Sequence, residues 1–369
     1  MAFEEFGSLL SEILSHSPLA AGRPFFWTII ANPKAGGFTI KQRWKKHLAQ
    51  LNEYKQKAAN KPARELCGPS ETGRREGGET GLVFTKARGH AKEITEALIG
   101  EASIKAAAES GKRPFYFIIT AGGDGTSLEV MSALCGADEN IREDFAVLRL
   151  PMGTGNDGAD SFFLSETLNL IIEPPELVKQ RAVRLRTASG KGPFLAFNIL
   201  SVGLDAFVTH MTNKMKGKLP GDSYKLWVDV SALFYDKIYK VGVMDVNSDS
   251  VTLNEKLLLI AVGESGKRCY GSQRWILPDD RNVCALRQMP LLRKLALKGL
   301  FSSGTHADKK EAVLWNSSRV ELKSQYPLLA QMDGETVLLE RNDFPAVIEL
   351  TEPLINILGK RDRQPWNRK

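Results

Sequence analysis

At 369 residues and 40.8 kDa the chain exceeds one ordinary domain, and 43% hydrophobic with 25% charged residues marks a globular protein, not a disordered or fibrous one. No apolar run approaches the roughly 18 to 20 residues of a membrane-spanning helix. The +7 net charge and pI near 9.1 suit nucleotide phosphates, an anionic lipid surface or nucleic acid without choosing among them.

The chain opens MAFEEFGSLLSEILSHS, acidic and without the apolar core and small-residue cleavage site of a secretory signal. Phe3, Phe6, Leu9, Leu10, Ile13 and Leu14 recur near the helical period and predict an amphipathic extension over 1–23. Its polar face lacks the cations of an interfacial helix, so the stripe is expected to pack against the protein.

From 24 to 170, short apolar runs alternate with amphipathic stretches, the βαβ signature of a parallel sheet covered by helices. The runs are Phe25 to Ala31, Leu82 to Thr85, Phe115 to Thr120 and Phe145 to Leu150. Between them, the polar stretch 52–80 lacks periodicity and is expected to be a long surface excursion. After about residue 171 the pattern turns to alternating strands up to 350, predicting a mainly antiparallel β-sandwich. Single strands are expected at Ala182 to Arg186, Phe194 to Ser201, Val241 to Val246, Leu257 to Val262, Val313 to Leu322, Thr336 to Glu340 and Ala346 to Leu350. Helices are expected around Asp222 to Tyr235 and Leu291 to Phe301. Residues 351–369 end in a basic tail with Lys360, Arg361, Arg363, Arg368 and Lys369, a segment that could return to the first domain. The four cysteines, Cys67, Cys135, Cys269 and Cys284, have neither C-x-x-C nor metal-ligand spacing, which points to a reducing, cytoplasmic setting.

Three of the predicted strands run into turns suited to phosphate. Thr120-Ala121-Gly122-Gly123-Asp124-Gly125-Thr126 leads from a strand into a helix, and its glycines let amides approach an oxyanion at a helix N-terminus. Asp124 inside such a cradle would repel phosphate unless a cation bridges them, which argues for Mg²⁺ with ATP; otherwise this is a strand-to-helix turn with Asp124 as N-cap. Pro151-Met152-Gly153-Thr154-Gly155-Asn156-Asp157 repeats the logic, and Asn32-Pro33-Lys34-Ala35-Gly36-Gly37 adds an amide and a cation. In an open α/β sheet all three would gather at the carboxyl edge, where ligands bind.

With NPKAGG, TKARGHA, GGDGT and PMGTGND in this order, followed by FNILSVGLDAFV, YGSQRWILP, SGTH and QMDGE, the sequence resembles the diacylglycerol kinase catalytic-domain family, which includes sphingosine, ceramide and bacterial lipid kinases. The resemblance runs over about 25 to 358 and implies an α/β nucleotide-binding domain of the NAD kinase/diacylglycerol kinase type plus the β-sandwich. It further implies an ATP site lined by Asn32, Thr85, Gly122, Gly123, Asp124, Gly125, Thr126, Gly153 and Thr154. Glu335 matches the family's proposed general base, with Asp333 as its partner, and Asp124 would hold Mg²⁺. Two positions depart from the pattern: Leu128 replaces a common Asn, and Cys284-Ala285 stands where an Asp-Gly pair helps hold a second, structural Mg²⁺. That second metal is not expected.

The implied function is ATP- and Mg²⁺-dependent phosphorylation of a hydroxyl on diacylglycerol or a sphingoid lipid, reached peripherally at a membrane. Docking candidates are the N-terminal stripe, the cluster Lys214, Lys216, Lys218, Lys225, and Arg293, Lys294, Lys298. The alternatives are a soluble-substrate kinase of the NAD kinase type and a nucleotide- or lipid-binding regulator without turnover. No basic stripe interleaved with aromatics is present, so no nucleic-acid partner is expected.

Overall fold

The computed structural model describes residues 2–19, 22–63, 67–108, 111–153, 155–215, 235, 237, 239–246, 252–271 and 274–358. Thr154, Lys216, Lys218, Lys225, residues 222–234 of the helix expected over Asp222 to Tyr235, and the tail beyond 358 lie outside them. The described residues fall into two compact units, one of residues up to 180 together with 353–358, the other of 181–352.

In the first unit, β1 (Phe25–Ala31), β2 (Cys67–Pro69), β3 (Leu82–Phe84), β4 (Phe115–Gly122) and β5 (Phe145–Pro151) are parallel. β2 and β3 follow each other along one edge of β1, and β4 then β5 extend the sheet from its other edge. Beyond β5, the strand Ile355–Ile357 pairs parallel with β5 and antiparallel with β6 (Val178–Gln180), so residues 355–357 return to this sheet after the second unit. Every residue of β4 and β5 is buried, as expected for strands covered on both faces.

One face alternates Phe25, Trp27, Ile29 and Ala31 on β1 with Phe115, Phe117, Ile119 and Ala121 on β4, the period-2 spacing of a pleated strand. Three helices close this face: α1 (Ala2–Ser15), the helix Lys41–Ala59, which follows the short α2 (Gly36–Thr39) and is α3, and Leu164–Ile172. The apolar stripe of α1 is committed here, with Phe6, Leu10, Ile13 and Leu14 inaccessible to solvent and Phe3 packed at a tilt against Phe38 and edge-on to Phe84.

Residues 52–80 are not an irregular excursion. Helix α3 runs through Ala59 because Leu51, Tyr54 and Ala58 repeat an apolar face within a polar sequence. After β2, α4 (Glu71–Gly77) is capped by Ser70, whose Oγ accepts the Gly73 amide, and the Glu101 carboxylate accepts the amides of Glu71 and Thr72. Glu101 belongs to α5 (His90–Ala108), far along the chain, so local periodicity carries no sign of this order. The remaining helices of the unit are α6 (Asp124–Cys135), α7 (Glu139–Arg142) and α8 (Leu164–Ile172).

The second unit is mostly antiparallel. Its described strands are β7 (Val183–Arg186), β8 (Phe194–Ala196), β9 (Ile199–Gly203), β10 (Lys240–Asp245), β11 (Thr252–Gly263), β12 (Arg268–Tyr270), β13 (Arg274–Leu277), β14 (Val283–Arg287), β15 (Ala312–Trp315), β16 (Arg319–Lys323), β17 (Leu328–Met332), β18 (Glu335–Leu339) and β19 (Ala346–Leu350). The long β11 belongs to both halves: Thr252 to Lys256 pair with β10, and the residues from Leu257 onward pair with β14 and, from Leu259, β9. The register shifts between Leu257 and Leu259, where the strand changes halves, and the sheet curls so that Val243, Leu322 and Ile348 share one core with Val202, Val262 and Ala330.

Two runs expected as single strands are broken. Phe194 to Ser201 splits into β8 and β9 at Phe197-Asn198, and Val313 to Leu322 splits at 316–318, where the Asn282 side chain holds Ser317 by its amide and carbonyl. A helix absent from the sequence reading, α9 (Leu204–Met215), follows Gly203, whose φ of +107° ends β9. The predicted helix near 291 is α10 (Leu291–Ser303). Among the described residues, no helix is long and apolar enough to cross a membrane.

Candidate functional site

Parallel register brings the motif loops of the first unit together. Ala31 pairs with Phe84 on one side and Ala121 on the other, and Ala121 pairs with Leu150. The chain therefore leaves β1, β3, β4 and β5 at one level, and backbone hydrogen bonds continue past the strands: Asn32 N–H to Ala121 O at 3.0 Å and Thr85 N–H to Ala31 O at 2.9 Å. Asn32 Oδ1 accepts the Lys34 amide at 3.0 Å, turning the chain toward the Gly36-Gly37 helix start.

The loops after β4 and β5 meet backbone to backbone. A Cβ on Gly153 would stand 2.7 Å from the Gly123 Cα, and one on Gly37 would stand 2.9 Å from the Met152 carbonyl, whose oxygen already accepts the Gly37 amide. Thr126, buried beneath Gly122, leaves no space there either, with its Oγ1 2.5 Å from where a Cβ would be. Glycine at these positions thus serves close approach of peptide planes, the construction needed to offer amides to a phosphate.

Gly123 is the N-cap of α6 and Asp124 its first residue, so Asp124 is not the cap. Its Oδ1 accepts the Gly158 amide at 2.9 Å. The Asp124 and Asp157 carboxylates both face Gly155, lying 3.6 and 3.3 Å from the point a Gly155 Cβ would occupy. Two convergent carboxylates beside an amide cradle match the way Mg²⁺ is held, by one or two carboxylates with the rest supplied by phosphate and water. No cluster of three or more His, Cys, Asp or Glu suited to a metal occurs among the described residues. Asn156, at φ +57°, donates from Nδ2 to Pro151 O, and its Oδ1 is buried without a hydrogen-bond partner among the described residues, an acceptor beside the same loop.

Two supports went unseen in the sequence. Arg149 and Asp160 form an ion pair at 2.6 Å with side chains 4% and 1% exposed, and Asp160 also accepts the Arg149 amide, so the loop from 151 to 160 is tied back onto β5. Glu129, one turn into α6, accepts the amides of Gly89 and Ala91 at 2.8 and 3.1 Å and thereby closes the N-terminus of α5. The TKARGHA helix start is occupied by that carboxylate.

In the second unit, β17 and β18 form a hairpin whose two turn residues, Asp333 and Gly334, have φ of +46° and +99°. Asp333 lies in the turn, so strand alternation does not govern it. Its buried carboxylate accepts the amides of Phe197, Asn198 and Ile199, the very residues at which β8 breaks from β9. Glu335 follows at the start of β18, partly buried and opposite Met332. Helix α9 holds the hairpin through Asn213 Nδ2, which donates to Gly334 O at 2.8 Å. Inside, Gln331 Oε1 accepts the Gly334 amide at 3.1 Å while its Nε2 donates to Ser201 Oγ at 2.9 Å, and Ser201 donates to Asp205 at 2.6 Å. Burial pushes the Asp205 carboxyl up to about 6, against the Ser201 hydroxyl and the Arg274 charge, which favour its ionised form. Cys284, inside β14, is fully buried and its thiol is pushed up to about 12, so it stays protonated; nearby Asp279 is held below the usual carboxylate range by hydrogen bonds from Arg281.

Residues 27–187 match the family model of the diacylglycerol kinase catalytic domain. A relative from Enterobacter sp. (strain 638), named "Probable lipid kinase YegS-like", is 27% identical over 59% of this chain and 71% of its own length. One of the same name from Cronobacter sakazakii is 24% identical over 71% of this chain and 85% of its own. A crystal structure of a diacylglycerol kinase from Bacillus anthracis str. Sterne superposes with a TM-score of 0.53 at 14% identity, covering 91% of this chain and 97% of that one, a likeness of fold. The resemblance to the diacylglycerol kinase catalytic-domain family that NPKAGG, GGDGT and PMGTGND carry is thus borne out, by the family's own model over 27–187 and by relatives named as lipid kinases.

Proposed function

We propose that this protein is an ATP- and Mg²⁺-dependent lipid kinase that phosphorylates a hydroxyl of diacylglycerol or a sphingoid-type lipid at a membrane surface. The observation that carries the reading is the apposition of Gly123 and Gly153, which brings two glycine-rich loops backbone to backbone beside the carboxylates of Asp124 and Asp157. The names of the relatives support the lipid acceptor.

On this reading Asn32, Thr85, Gly122 to Thr126, Gly153 and Thr154 line the ATP site, and amides of the two loops take up charge that grows on the phosphoryl oxygens. Mg²⁺, when bound, would be held by Asp124 with Asp157 and would offset phosphate charge. Glu335 accepts the acceptor hydroxyl's proton as the new P–O bond forms and the bond to the leaving ADP breaks. Asp333 fixes the hairpin that presents Glu335, by tying it to the amides at 197–199.

The test is incubation of purified protein with γ-labelled ATP, Mg²⁺ and, separately, diacylglycerol, sphingosine, ceramide and NAD. Label in a lipid is expected. Label in NAD alone would move the protein to the soluble-substrate kinases, and intact nucleotide binding without transfer to any acceptor would make it a regulator.

A further inference from the structure

Helix α10 exposes its apolar side. Leu291, Leu292 and Leu295 are 48%, 78% and 51% exposed, and Ala296 and Gly299 are exposed with them. At about 100° per residue these five positions fall within one continuous arc of roughly 140°. The opposite side holds the helix to its unit through Phe301, which is buried against His306, and Lys294, whose Nζ donates to Tyr235 O at 3.1 Å. A helix on a water-exposed surface ordinarily presents the reverse arrangement, apolar side inward. Other exposed large hydrophobics, such as Ile40, Ile104 and Phe163, stand apart in the sequence and on separate elements, which is ordinary.

The charge around this arc is predominantly positive. The segment Leu291–Ser303 contains Arg293, Lys294 and Lys298 and no carboxylate. Arg293 remains 53% exposed at the border of the arc while pairing with Glu311, and Lys309 and Lys310 are exposed beside it, with Asp308 as an exposed counter-charge. The arc also borders a cavity of about 440 Å³ lined by the apolar Met289, Leu292 and Leu300 and by the charged Arg293, Lys309 and Glu311. The two other docking candidates offer less: the N-terminal stripe is consumed by the core of the first unit, and most of the Lys214 cluster lies outside the described residues.

We infer that α10 is the membrane-docking element, seating Leu291, Leu292 and Leu295 in the acyl boundary of an anionic bilayer while Arg293, Lys309 and Lys310 meet its headgroups. Leucines flanked by cations fit an anionic lipid surface, the apolar side chains entering the acyl boundary and the cations meeting the headgroups. The inference rests on the lipid-kinase reading for its purpose and on exposure and charge for its place.

The experiment is co-sedimentation of the full chain with vesicles of phosphatidylglycerol and phosphatidylcholine, against phosphatidylcholine alone. The anionic vesicles should bind the protein more tightly, and 0.5 M salt should weaken that binding several-fold. Leu292→Glu with Leu295→Glu should cut partitioning by about tenfold or more, and Lys309→Glu with Lys310→Glu should remove the anionic preference. Because the leucines are exposed, both variants should melt as the wild type does. Unchanged vesicle binding by the leucine variant overturns the inference, as does a concentration-dependent dimer that the leucine variant abolishes while the wild type ignores vesicles. Phosphorylation of a water-dispersed short-chain diacylglycerol separates the two readings: equal turnover in wild type and leucine variant supports a docking role, and leucine-dependent vesicle binding without turnover on any acceptor leaves docking standing while the kinase reading falls.

Discussion

The Gly158 amide donates to Asp124 Oδ1 at 2.9 Å, joining the loop after β4 to the loop after β5 across two neighbouring parallel strands. One carboxylate thereby does two jobs: it holds loop geometry with one oxygen and directs the other toward Asp157, beside Gly155. Asp124→Asn separates them. The amide oxygen can still accept from Gly158, so melting should shift little, whereas the lost charge should reduce turnover by about 10² or more and weaken its Mg²⁺ dependence. Steady-state kinetics against Mg²⁺ concentration, beside thermal denaturation, measure both.

Gly153→Ala places a methyl 2.7 Å from the Gly123 Cα, a backbone atom that cannot swing aside. The loops must separate, and we expect a stability loss of about 1–3 kcal/mol together with at least tenfold weaker nucleotide binding. Gly100→Ala is the matching control: Gly100 is exposed within α5 with nothing within 4 Å of its would-be Cβ, so the change should stabilise by about 0.5–1 kcal/mol. Urea denaturation and titration with a fluorescent nucleotide report the contrast.

Asp160→Ala strands the Arg149 guanidinium inside the first unit. An unpaired buried charge of this kind costs about 3–5 kcal/mol, visible as a lowered denaturation midpoint. Replacing both residues, Arg149→Met with Asp160→Leu, should recover much of that loss, since no charge is then buried alone.

Glu335 and Asp333 should part company on mutation. Glu335→Gln should lower turnover by 10²-fold or more, an order set by loss of a general base, while sparing stability and nucleotide affinity. Asp333→Ala instead removes the acceptor of three buried amides and introduces a residue less suited to φ +46°, so stability should fall by about 2–4 kcal/mol. Normal turnover in Glu335→Gln would remove Glu335 from its role.

Asp205 should shape the acid side of the stability curve. Its carboxyl, raised by burial to about 6, holds a proton in the folded state over a range where the unfolded chain, near 3.8, has released it. The folded state is therefore favoured below about pH 4, and stability declines as pH rises through 4 to 6, by up to about 3 kcal/mol, then levels. Asp205→Asn should flatten this decline and raise stability at pH 7. Chemical denaturation at pH 4, 5, 6 and 7 follows the difference between variant and wild type.

Local pattern made the first unit legible. The apolar runs at Phe25, Leu82, Phe115 and Phe145 begin β1, β3, β4 and β5, because a buried parallel strand must be continuously apolar and must end where glycine and proline permit a turn. The phosphate-type loops were legible for the same reason, since their glycines are demanded by backbone geometry within the loop. In the second unit the alternation revealed most strands but missed β12, β13, β14 and β17, the interruptions within two of the expected runs, and α9.

The sequence by itself determined a helix-covered parallel sheet followed by a mainly antiparallel unit, and the motif loops that follow the parallel strands. Only tertiary structure decided that Gly123 meets Gly153, that Asp157 joins Asp124, that Glu129 closes the start of α5 and that Asp333 captures the amides of 197–199. It also decided which apolar stripe stays exposed: those of α1 and α10 are both leucine-rich, and one is buried while the other faces solvent. The physical reason is common to all of these. Periodicity records that a side chain needs a partner, while the identity of that partner depends on how distant strands and helices pack.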